Sequence, residues 1–338
     1  MRRLKAAGAN PPFYSHGVFN FPASPVLLSV FDIITVTLIL SLILLSIVSL
    51  FFVFNLRFKS RRFHHLQNFD VLWNVRILLV SFVVLWAGNE VLRLPFFHRR
   101  YIYPFLPTLN LTQQAKMCKY HVILSLGLFE PGFLISLLFL LHLSVRHRAP
   151  CDDWAVPLIL TTCFPILILQ MFFIFFPPVV DHLPDILRRS SVLAKDSFDH
   201  RTRICSYPLM STLVFGGFGA VYTFVLVVFS WRLVSLVINK GTRLRIHFLA
   251  ISVITSVPLQ VLFLSLSTLW NPGTIGYSGV MMGMFVCVAC CAAASQGILV
   301  IKPIADALTF SDEESLSRHI QGSRSRDDSL TEESFLGN

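Results

Sequence analysis

The sequence predicts an all-α membrane protein, a seven-transmembrane helix bundle, and three observations support this prediction. The 338 residues are 54% hydrophobic and only 14% charged, whereas soluble domains carry roughly 25% charged residues. Apolar residues are gathered into seven long runs, each reaching the length of about 20 residues that a helix needs to cross a bilayer. The runs lack the period-two alternation of a membrane β-barrel, so helices are the predicted form.

The first four predicted spans differ mainly in their polar residues. The first span starts well after the charged opening MRRLK and is too long for the core of a cleavable signal peptide, so we interpret it as permanent. The second span contains several polar residues, the third contains Glu130 followed by Pro131, and the fourth contains no charged residue. These spans cover about residues 26–54, 71–92, 119–143 and 155–176.

The last three predicted spans contain prolines or small residues that affect helix packing. In the sixth span, Pro258 predicts a bend that is either static or a hinge. In the seventh, Gly279 and Gly283 form a GxxxG pattern, for which we expect close packing within the monomer rather than dimerisation. The fifth span contains three glycines with the same implication, namely Gly216, Gly217 and Gly219. These spans cover about residues 207–231, 246–270 and 276–301.

The spans define one helical domain, residues 26–301, between two more polar ends. Residues 1–25 form an N-terminal segment, and residues 302–338 form a C-terminal tail. The tail begins with KPIADALTF, which predicts a short helix on the membrane surface. Beyond Ser311 the tail has too few apolar residues to fold, so it is predicted to be mostly disordered.

The orientation of the bundle is predicted from three features, because basic residues are spread nearly evenly over the two sides. Asn110 begins an N-glycosylation acceptor, and Cys118 and Cys205 would share one oxidising side, where they are placed to form a disulfide or to remain free thiols. Ser311 and Thr331 precede acidic residues, as in cytosolic phosphorylation sites, although a plain solvated tail is an equal alternative. Together these features predict an N-terminus outside and a cytosolic C-terminus.

Composition and motifs argue against several classes of function. The net charge of +10 comes from basic residues in short loops between spans, where they set topology and meet anionic lipid, so no nucleic-acid partner is expected. The seven cysteines show no zinc spacing, the last span lacks a lysine for a retinal Schiff base, and no nucleotide fingerprint is present. We therefore expect no metal, no cofactor and no enzymatic activity.

Polar residues inside the spans are the candidates for function, because charged groups are costly in a membrane. Asp32, Glu90 and His121 lie near the predicted outer ends of the first three spans. They are expected either to ring an outward-facing vestibule for an unidentified small ligand or to reach headgroups and water as structural residues. Glu90 is also placed to pair with Arg93, three residues later.

Glu130 is the charged residue nearest to the middle of the predicted membrane. Arg76 is its suggested partner, because residue counting places Arg76 roughly 9 Å away along the membrane normal. Pro131 removes one backbone hydrogen bond and frees a carbonyl near Gly127. Three roles are open for Glu130: a structural packing residue, a ligand-binding or switch residue, and a proton or ion carrier.

Two stretches carry a resemblance to a known group of proteins. NFDVLWNVRILLVSFVVLWAGNEVLRLPFF and LSLGLFEPGFLISLLFLL resemble a plant group of candidate seven-transmembrane, G-protein-coupled-receptor-like proteins. The order of seven helices, Cys118 with Cys205, and Pro258 in the sixth span fit the same resemblance. The third span ends in LHLSVRHR, without the acidic-arginine-aromatic triplet of rhodopsin-like receptors, and the seventh lacks their asparagine-proline motif. A looser similarity, through FHHLQNFDVLWNVRILLV, is to the tobamovirus multiplication proteins.

The resemblance implies receptor-like signalling through cytosolic partners, with G-protein coupling implied by architecture alone. In that hypothesis a small ligand enters near Asp32, and helix motion around Glu130 and Pro258 alters the inner loops. A membrane scaffold that recruits cytosolic proteins is the alternative function, and a small-solute transporter using Glu130 is the third. The plasma membrane is the expected location, and an endomembrane such as the Golgi or the vacuole is the alternative.

Overall fold

A computed structural model describes residues 25–60, 72–94, 111–145, 155–176, 190–195, 201–236, 240–270 and 274–307, together with residues 187 and 309. Within these residues it contains seven helices that are long and apolar enough to cross a membrane, as the sequence predicted. The helices are α1 (Pro25–Ser60), α2 (Trp73–Val91), α3 (residues 111–145), α4 (Ala155–Phe175), α5 (Leu209–Leu236), α6 (Lys240–Ser267) and α7, which begins as Ile275–Ser295.

Two of the helices contain a wide π-helical turn. α3 consists of Leu111–Leu124, the π turn Ser125–Phe129 and the segment Glu130–Val145. α7 continues through the π turn Gln296–Ile301 into a last helical stretch, residues 302–307. π turns of this kind are rare in proteins, and those that occur are often found at functional sites.

Several helices extend beyond the spans that hydropathy predicted. α3 begins at Leu111 instead of residue 119, and α6 begins at Lys240 instead of residue 246. The added segments are polar but contain good helix formers such as Gln, Lys and Arg, so the helices continue past the apolar run. The described start of the predicted surface helix KPIADALTF, residues 302–307, is a continuation of α7, and its Ile304 is fully buried against the bundle.

The helices form a closed ring with α3 towards the centre. Each helix packs against the next one along the chain, and α1 packs against α7 to close the ring. α3 contacts its neighbours α2 and α4 and also α5. In its most apolar stretch, 72% of the residues of α3 are buried, against 22% for α4, so α3 is the most deeply buried of the seven helices.

A β-hairpin covers one end of the bundle, which we call the hairpin end. Strands β1 (Ser191–Lys195) and β2 (Arg201–Cys205) pair in antiparallel register, with Ser191 opposite Cys205. The backbone N–H of Arg203 donates to Gln114 Oε1 over 3.1 Å, which fastens β2 to the start of α3. The all-α prediction missed this hairpin because its residues lie in a polar loop between apolar runs.

Glycines allow α6 to lie close to α5 and α7. A methyl group added at Gly219 would lie 3.0 Å from Val257 Cγ1, and one at Gly283 would lie 3.1 Å from the ring of Phe263. Gly217 and Gly279 have no such neighbour within 4 Å. The predicted small-residue contacts therefore lie within the monomer, but only at some of the glycines.

Some predicted features lie outside the described residues. These are the segment before Pro25, the glycosylation candidate Asn110 and the phosphorylation candidates Ser311 and Thr331.

Candidate functional site

The site begins with the π turn that precedes Pro131. Proline has no N–H, and its ring conflicts with the carbonyl four residues earlier, here that of Gly127. The turn widens at this point, and the N–H of Glu130 donates to the carbonyl of Ser125, five residues back. As a result the side chains of Ser125 and Glu130 meet, and the Ser125 hydroxyl donates to Glu130 Oε1 over 3.1 Å.

The carboxylate of Glu130 connects three helices. Its side chain is buried. Oε1 accepts a hydrogen bond from Trp86 Nε1 of α2 over 3.0 Å, and Oε2 accepts one from Gln260 Nε2 of α6. Together with the hydrogen bond from Ser125, the carboxylate thus accepts three hydrogen bonds, one each from an indole N–H, a hydroxyl and an amide N–H. Such bonds to a charged group are worth about 1.5–3 kcal/mol each.

The predicted pairing of Glu130 with Arg76 is wrong. Arg76 precedes Trp86 by ten residues on α2, a separation of about 15 Å along the helix axis. Because Trp86 contacts the Glu130 carboxylate, Arg76 lies too far along α2 for its side chain to reach that carboxylate. Residue counting failed here because it fixed neither the true start of α3 nor the relative heights of the two helices.

Glu90 lies one turn further along α2, at the hairpin end, and is completely buried. Its Oε2 is 3.0 Å from Arg93 Nε, so the predicted pairing with Arg93 is present in the structure. Its Oε1 accepts a hydrogen bond from the Tyr207 hydroxyl over 2.9 Å. Ser125 Oγ lies 3.4 Å from the same oxygen. Ser125 therefore stands between the carboxylates of Glu90 and Glu130.

His121 completes this network from the first part of α3. Its Nδ1 lies 3.0 Å from the carbonyl of Asn89, and because a carbonyl only accepts, Nδ1 must be the donor. Its Nε2 lies 3.1 Å from the Tyr207 hydroxyl and 3.9 Å from Glu90 Oε1. The single hydroxyl proton of Tyr207 thus has two candidate acceptors when His121 is neutral.

The charges at the edge of the network follow from burial and neighbouring groups. Burial lowers the pKa of the Arg93 guanidinium, but the adjacent Glu90 carboxylate, together with Tyr207 and Tyr277, outweighs burial and holds that pKa above its ordinary value. Burial and the nearby Glu90 carboxylate raise the pKa of the Tyr207 hydroxyl well above its ordinary value. Arg93 is therefore a cation and Tyr207 a neutral donor throughout the physiological range.

The structure brings the three predicted vestibule residues to the same end of the bundle, where two of them are buried among the described residues. Glu90 and His121 are buried and share the Tyr207 hydroxyl as a hydrogen-bond partner, whereas Asp32 is only half-buried. Asp32 lies within the electrostatic influence of Arg93. The arrangement is an ionic cluster with Asp32 at its rim.

The hairpin end is tied together by the two predicted disulfide cysteines. Cys118 of α3 and Cys205 of β2 form a disulfide, with their Cα atoms 5.1 Å apart. Tyr207 follows Cys205 by two residues, and the Tyr277 hydroxyl of α7 donates to the carbonyl of Cys205 over 2.9 Å. These contacts position Tyr207 over Glu90 and His121.

The family model that matches this chain is described as uncharacterised conserved protein UCP031277, and the match covers residues 21–317. The chain belongs to the UCP031277 family. The match includes all seven helices, the hairpin and the polar network. No curated protein and no solved structure matches the chain.

The space around Glu130 in this UCP031277 protein is small. Two cavities adjoin its carboxylate, each of about 10 Å³, which is room for about one water molecule. One is lined by Trp86 and Val83 of α2 and the other by Gln260 and Cys291, with Glu130 in both. A cavity of this size accommodates a water or a proton carrier but not an organic ligand.

A second polar cluster links α1 to α7. Gln296 Nε2 donates to Ser46 Oγ over 2.9 Å, and Ser49 Oγ donates to Gln296 Oε1 over 3.4 Å. All three side chains are buried, and Gln296 is the first residue of the π turn in α7. The cluster satisfies its polar atoms internally, so it is best explained as a fastening between the two helices.

Sequence reasoning identified Glu130, Glu90 and His121 but missed the neutral partners. Trp86, Ser125, Tyr207 and Gln260 look like ordinary residues in an apolar sequence. A useful signal was available, since a buried carboxylate in a membrane requires donors and those four residues can supply them. Within the described parts of the chain, no three His, Cys, Asp or Glu side chains gather as metal ligands.

Proposed function

We propose that this chain is a receptor-like integral membrane protein that crosses the bilayer seven times, with the N-terminus outside and the C-terminus in the cytosol. In this proposal the link between Glu130 of α3 and Gln260 of α6 is a two-state element that passes a signal to cytosolic partners. The proposal rests on the observation that one buried carboxylate accepts hydrogen bonds from side chains of α2, α3 and α6.

The outer surface of the helices supports membrane insertion. Large apolar side chains are exposed on several helices, including Phe224 at 70% and Trp231 at 81% on α5 and Leu244 at 71% on α6. Soluble monomers rarely expose contiguous apolar patches larger than a few hundred Å². Lipid is the partner that such a surface fits.

The disulfide supports the proposed orientation. Disulfides persist in oxidising compartments and are rare in the cytosol, so the hairpin end, which contains Cys118–Cys205, is assigned to the outside. The opposite end contains Arg57 and Lys59 of α1 and Arg245 of α6. The hairpin end carries basic residues too, among them Arg93, Lys119 and Arg203, so basic charge does not decide the orientation and the disulfide supports it.

The geometry favours a switch because the connected helices have distortions beside the connecting side chains. Glu130 follows the π turn and precedes Pro131 on α3, and Gln260 lies two residues after Pro258 on α6. Distortions of this type are places where a helix can change direction. α6 is also a peripheral helix, with 33% of its most apolar stretch buried, so it can move with less loss of packing than α3.

The proposal is tested by measuring whether the end of α6 moves. Spin labels are introduced as unnatural amino acids at Phe58 on α1 and Leu244 on α6, both exposed at the end opposite the hairpin, and distances are measured in lipid nanodiscs. We expect two distance populations whose ratio changes in Glu130→Gln and in Gln260→Leu. The matched control is Gln296→Leu, which removes a buried glutamine that does not contact Glu130.

The opposite results favour the other functions. One distance, unchanged in Glu130→Gln and Gln260→Leu, would show that the link is a static fastening, and the membrane scaffold would then become the leading function. Solute flux in liposomes that disappears with Glu130→Gln would favour the transporter. The small cavities beside Glu130 give the transporter less support than the switch.

A further inference from the structure

We propose that Glu130 is a reversible proton-binding site that is loaded from the hairpin end through a chain formed by His121, Tyr207, Glu90 and Ser125. The inference rests on the proposed function and deepens it, since it names the proton as the species that operates the link between α3 and α6.

The chain consists of consecutive polar contacts from the hairpin end to the centre of the bundle. His121 Nε2 is 3.1 Å from the Tyr207 hydroxyl, which is 2.9 Å from Glu90 Oε1. Ser125 Oγ is 3.4 Å from Glu90 Oε1 and 3.1 Å from Glu130 Oε1. Each intermediate group can both accept and release a proton, as a proton relay requires.

The partners of Glu130 fit both of its protonation states. As a carboxylate, Glu130 accepts from Trp86 Nε1, from Ser125 Oγ and from Gln260 Nε2. As a carboxylic acid protonated on Oε1, it donates to Ser125 Oγ, and Oε2 becomes an uncharged carbonyl oxygen that accepts from Gln260 Nε2. Proton binding therefore weakens the hydrogen bond to α6, beside Pro258, because a neutral acceptor replaces a charged one, and this connects the proton to the proposed switch.

The charged and titratable groups around Glu130 are distributed unevenly over the neighbouring helices. From α2 it faces Glu90, whose negative charge is matched by Arg93 on the side away from Glu130. From α7 the thiol of Cys291 lines one adjoining cavity, and α6 contributes the neutral Gln260. The Tyr207 hydroxyl, which precedes α5, is neutral.

His121 of α3 itself and α4 complete the surroundings. His121 is separated from Glu130 by the π turn and contacts Tyr207. α4 brings Gln170, a neutral side chain, next to Gly127. An extra proton on Glu130 thus removes one of two negative charges that share Ser125, which is the physical reason for the site to bind it.

The proton transfer is balanced along the chain. The relay starts when His121 has taken up a second proton and is an imidazolium. Its Nε2–H gives this proton to the Tyr207 oxygen while the Tyr207 hydroxyl proton moves to Glu90 Oε1, and His121 returns to the neutral form with its proton on Nδ1. The proton on Glu90 then passes to Ser125 Oγ while the Ser125 hydroxyl proton moves to Glu130 Oε1. One proton leaves His121, one arrives at Glu130, and the three groups between them regain their original protonation. No electron moves and no other reactant is needed.

The test uses infrared difference spectra of the full-length protein in lipid nanodiscs, recorded between acidic and neutral buffer. We expect a carboxylic-acid C=O band that shifts in D₂O and is lost in Glu130→Gln. In Gln260→Leu we expect the band to persist at a higher frequency, because the C=O of the acid has lost the hydrogen bond from Gln260. After a rapid pH change, we expect Ser125→Ala to form the band more slowly than the wild type.

The control variant is Gln296→Leu, for which the band and its rate should match the wild type. If Glu130→Gln does not fold, Trp86→Phe keeps the carboxyl group and should alter the frequency of the same band. The proposal is overturned if no such band forms, if the band survives in Glu130→Gln, or if the spectrum responds to sodium ions at constant pH instead of to protons.

The outcomes separate this inference from the proposed function. If the two spin-label distance populations depend on Glu130 but not on pH, the proposed switch stands and the proposal that a proton triggers it is overturned. A Glu130 band together with one fixed distance would retain the proton site and overturn the switch. A pH-dependent ratio of distances in the wild type, absent in Glu130→Gln, would support both.

Discussion

At the scale of single residues, Glu130 is a stabilising contact as well as a candidate switch. Its carboxylate takes hydrogen bonds from an indole, a hydroxyl and an amide, all of them buried or almost buried. A polar group in such a place costs stability whenever one of its partners is removed. Substitutions at the donors therefore report how tightly the network is held.

Trp86→Phe removes one donor and keeps most of the aromatic surface. Trp86 also stacks on Phe285 with ring centroids 5.1 Å apart, and phenylalanine can preserve that contact. We expect a loss of about 1.5–3 kcal/mol, the value of a hydrogen bond to a charged group, measured by denaturant unfolding in detergent. Trp231→Phe is the matched control, because Trp231 is exposed, and equal losses in the two variants would contradict the prediction.

Glu90→Gln leaves the buried cation Arg93 without its partner carboxylate. Breaking one side of a buried ion pair costs about 3–5 kcal/mol, and we expect a loss of that size in the same unfolding measurement. The double variant Glu90→Gln with Arg93→Gln should recover part of the loss, since both charges are then absent. A double variant as unstable as the sum of the single variants would show that the two side chains are independent.

At the scale of elements, α2 and α3 approach each other closely beside the π turn. Gly132 follows Pro131, and a methyl group there would lie 2.5 Å from the ring of Phe82. The absence of a side chain at Gly132 is therefore a packing requirement of this helix pair. The requirement is independent of the hydrogen bonds that meet at Glu130, so it can be tested separately.

Gly132→Ala should force the Phe82 ring to move and should destabilise the protein by about 1–3 kcal/mol, the usual cost of overpacking. Gly279→Ala is the control, because a methyl group added at Gly279 would have no neighbour within 4 Å. Alanine at such a site should leave the stability unchanged or raise it by up to about 1 kcal/mol. Thermal unfolding in detergent compares the two. Adding Phe82→Leu to Gly132→Ala should restore part of the loss, and failure to do so would locate the strain elsewhere.

At the scale of the whole molecule, the proposed topology has two ends in different compartments. We expect Asn110 to be glycosylated and the tail after Ser311 to be protected from protease added to intact cells, because the proposed topology places the first outside and the second inside. Glycosidase treatment and protease mapping of an epitope-tagged tail measure both. Replacing Asn110 with Gln supplies the control, and cleavage of the tail in intact cells would overturn the topology.

How much of this could be predicted depends on how local each signal is. Seven helices were predictable because each apolar run is contained in about 20 consecutive residues. Glu130 and Pro131 stood out because each conflicts with its apolar surroundings. The partners of Glu130 were not predictable, since Trp86 and Gln260 reach it only after the heights and rotations of α2 and α6 are fixed by packing. The hairpin, which depends on docking to Gln114, was missed for the same reason.

The disulfide between Cys118 and Cys205 has a practical consequence for preparing this protein. It joins residues 87 positions apart and fastens the segment that carries Tyr207 to the start of α3. Overexpression in a bacterial cytoplasm, or purification with strong reductants, would leave both cysteines as reduced thiols without the disulfide, and Tyr207 would be poorly positioned. Expression through a eukaryotic secretory pathway, followed by non-reducing extraction, is therefore the suitable route to material for spectroscopy.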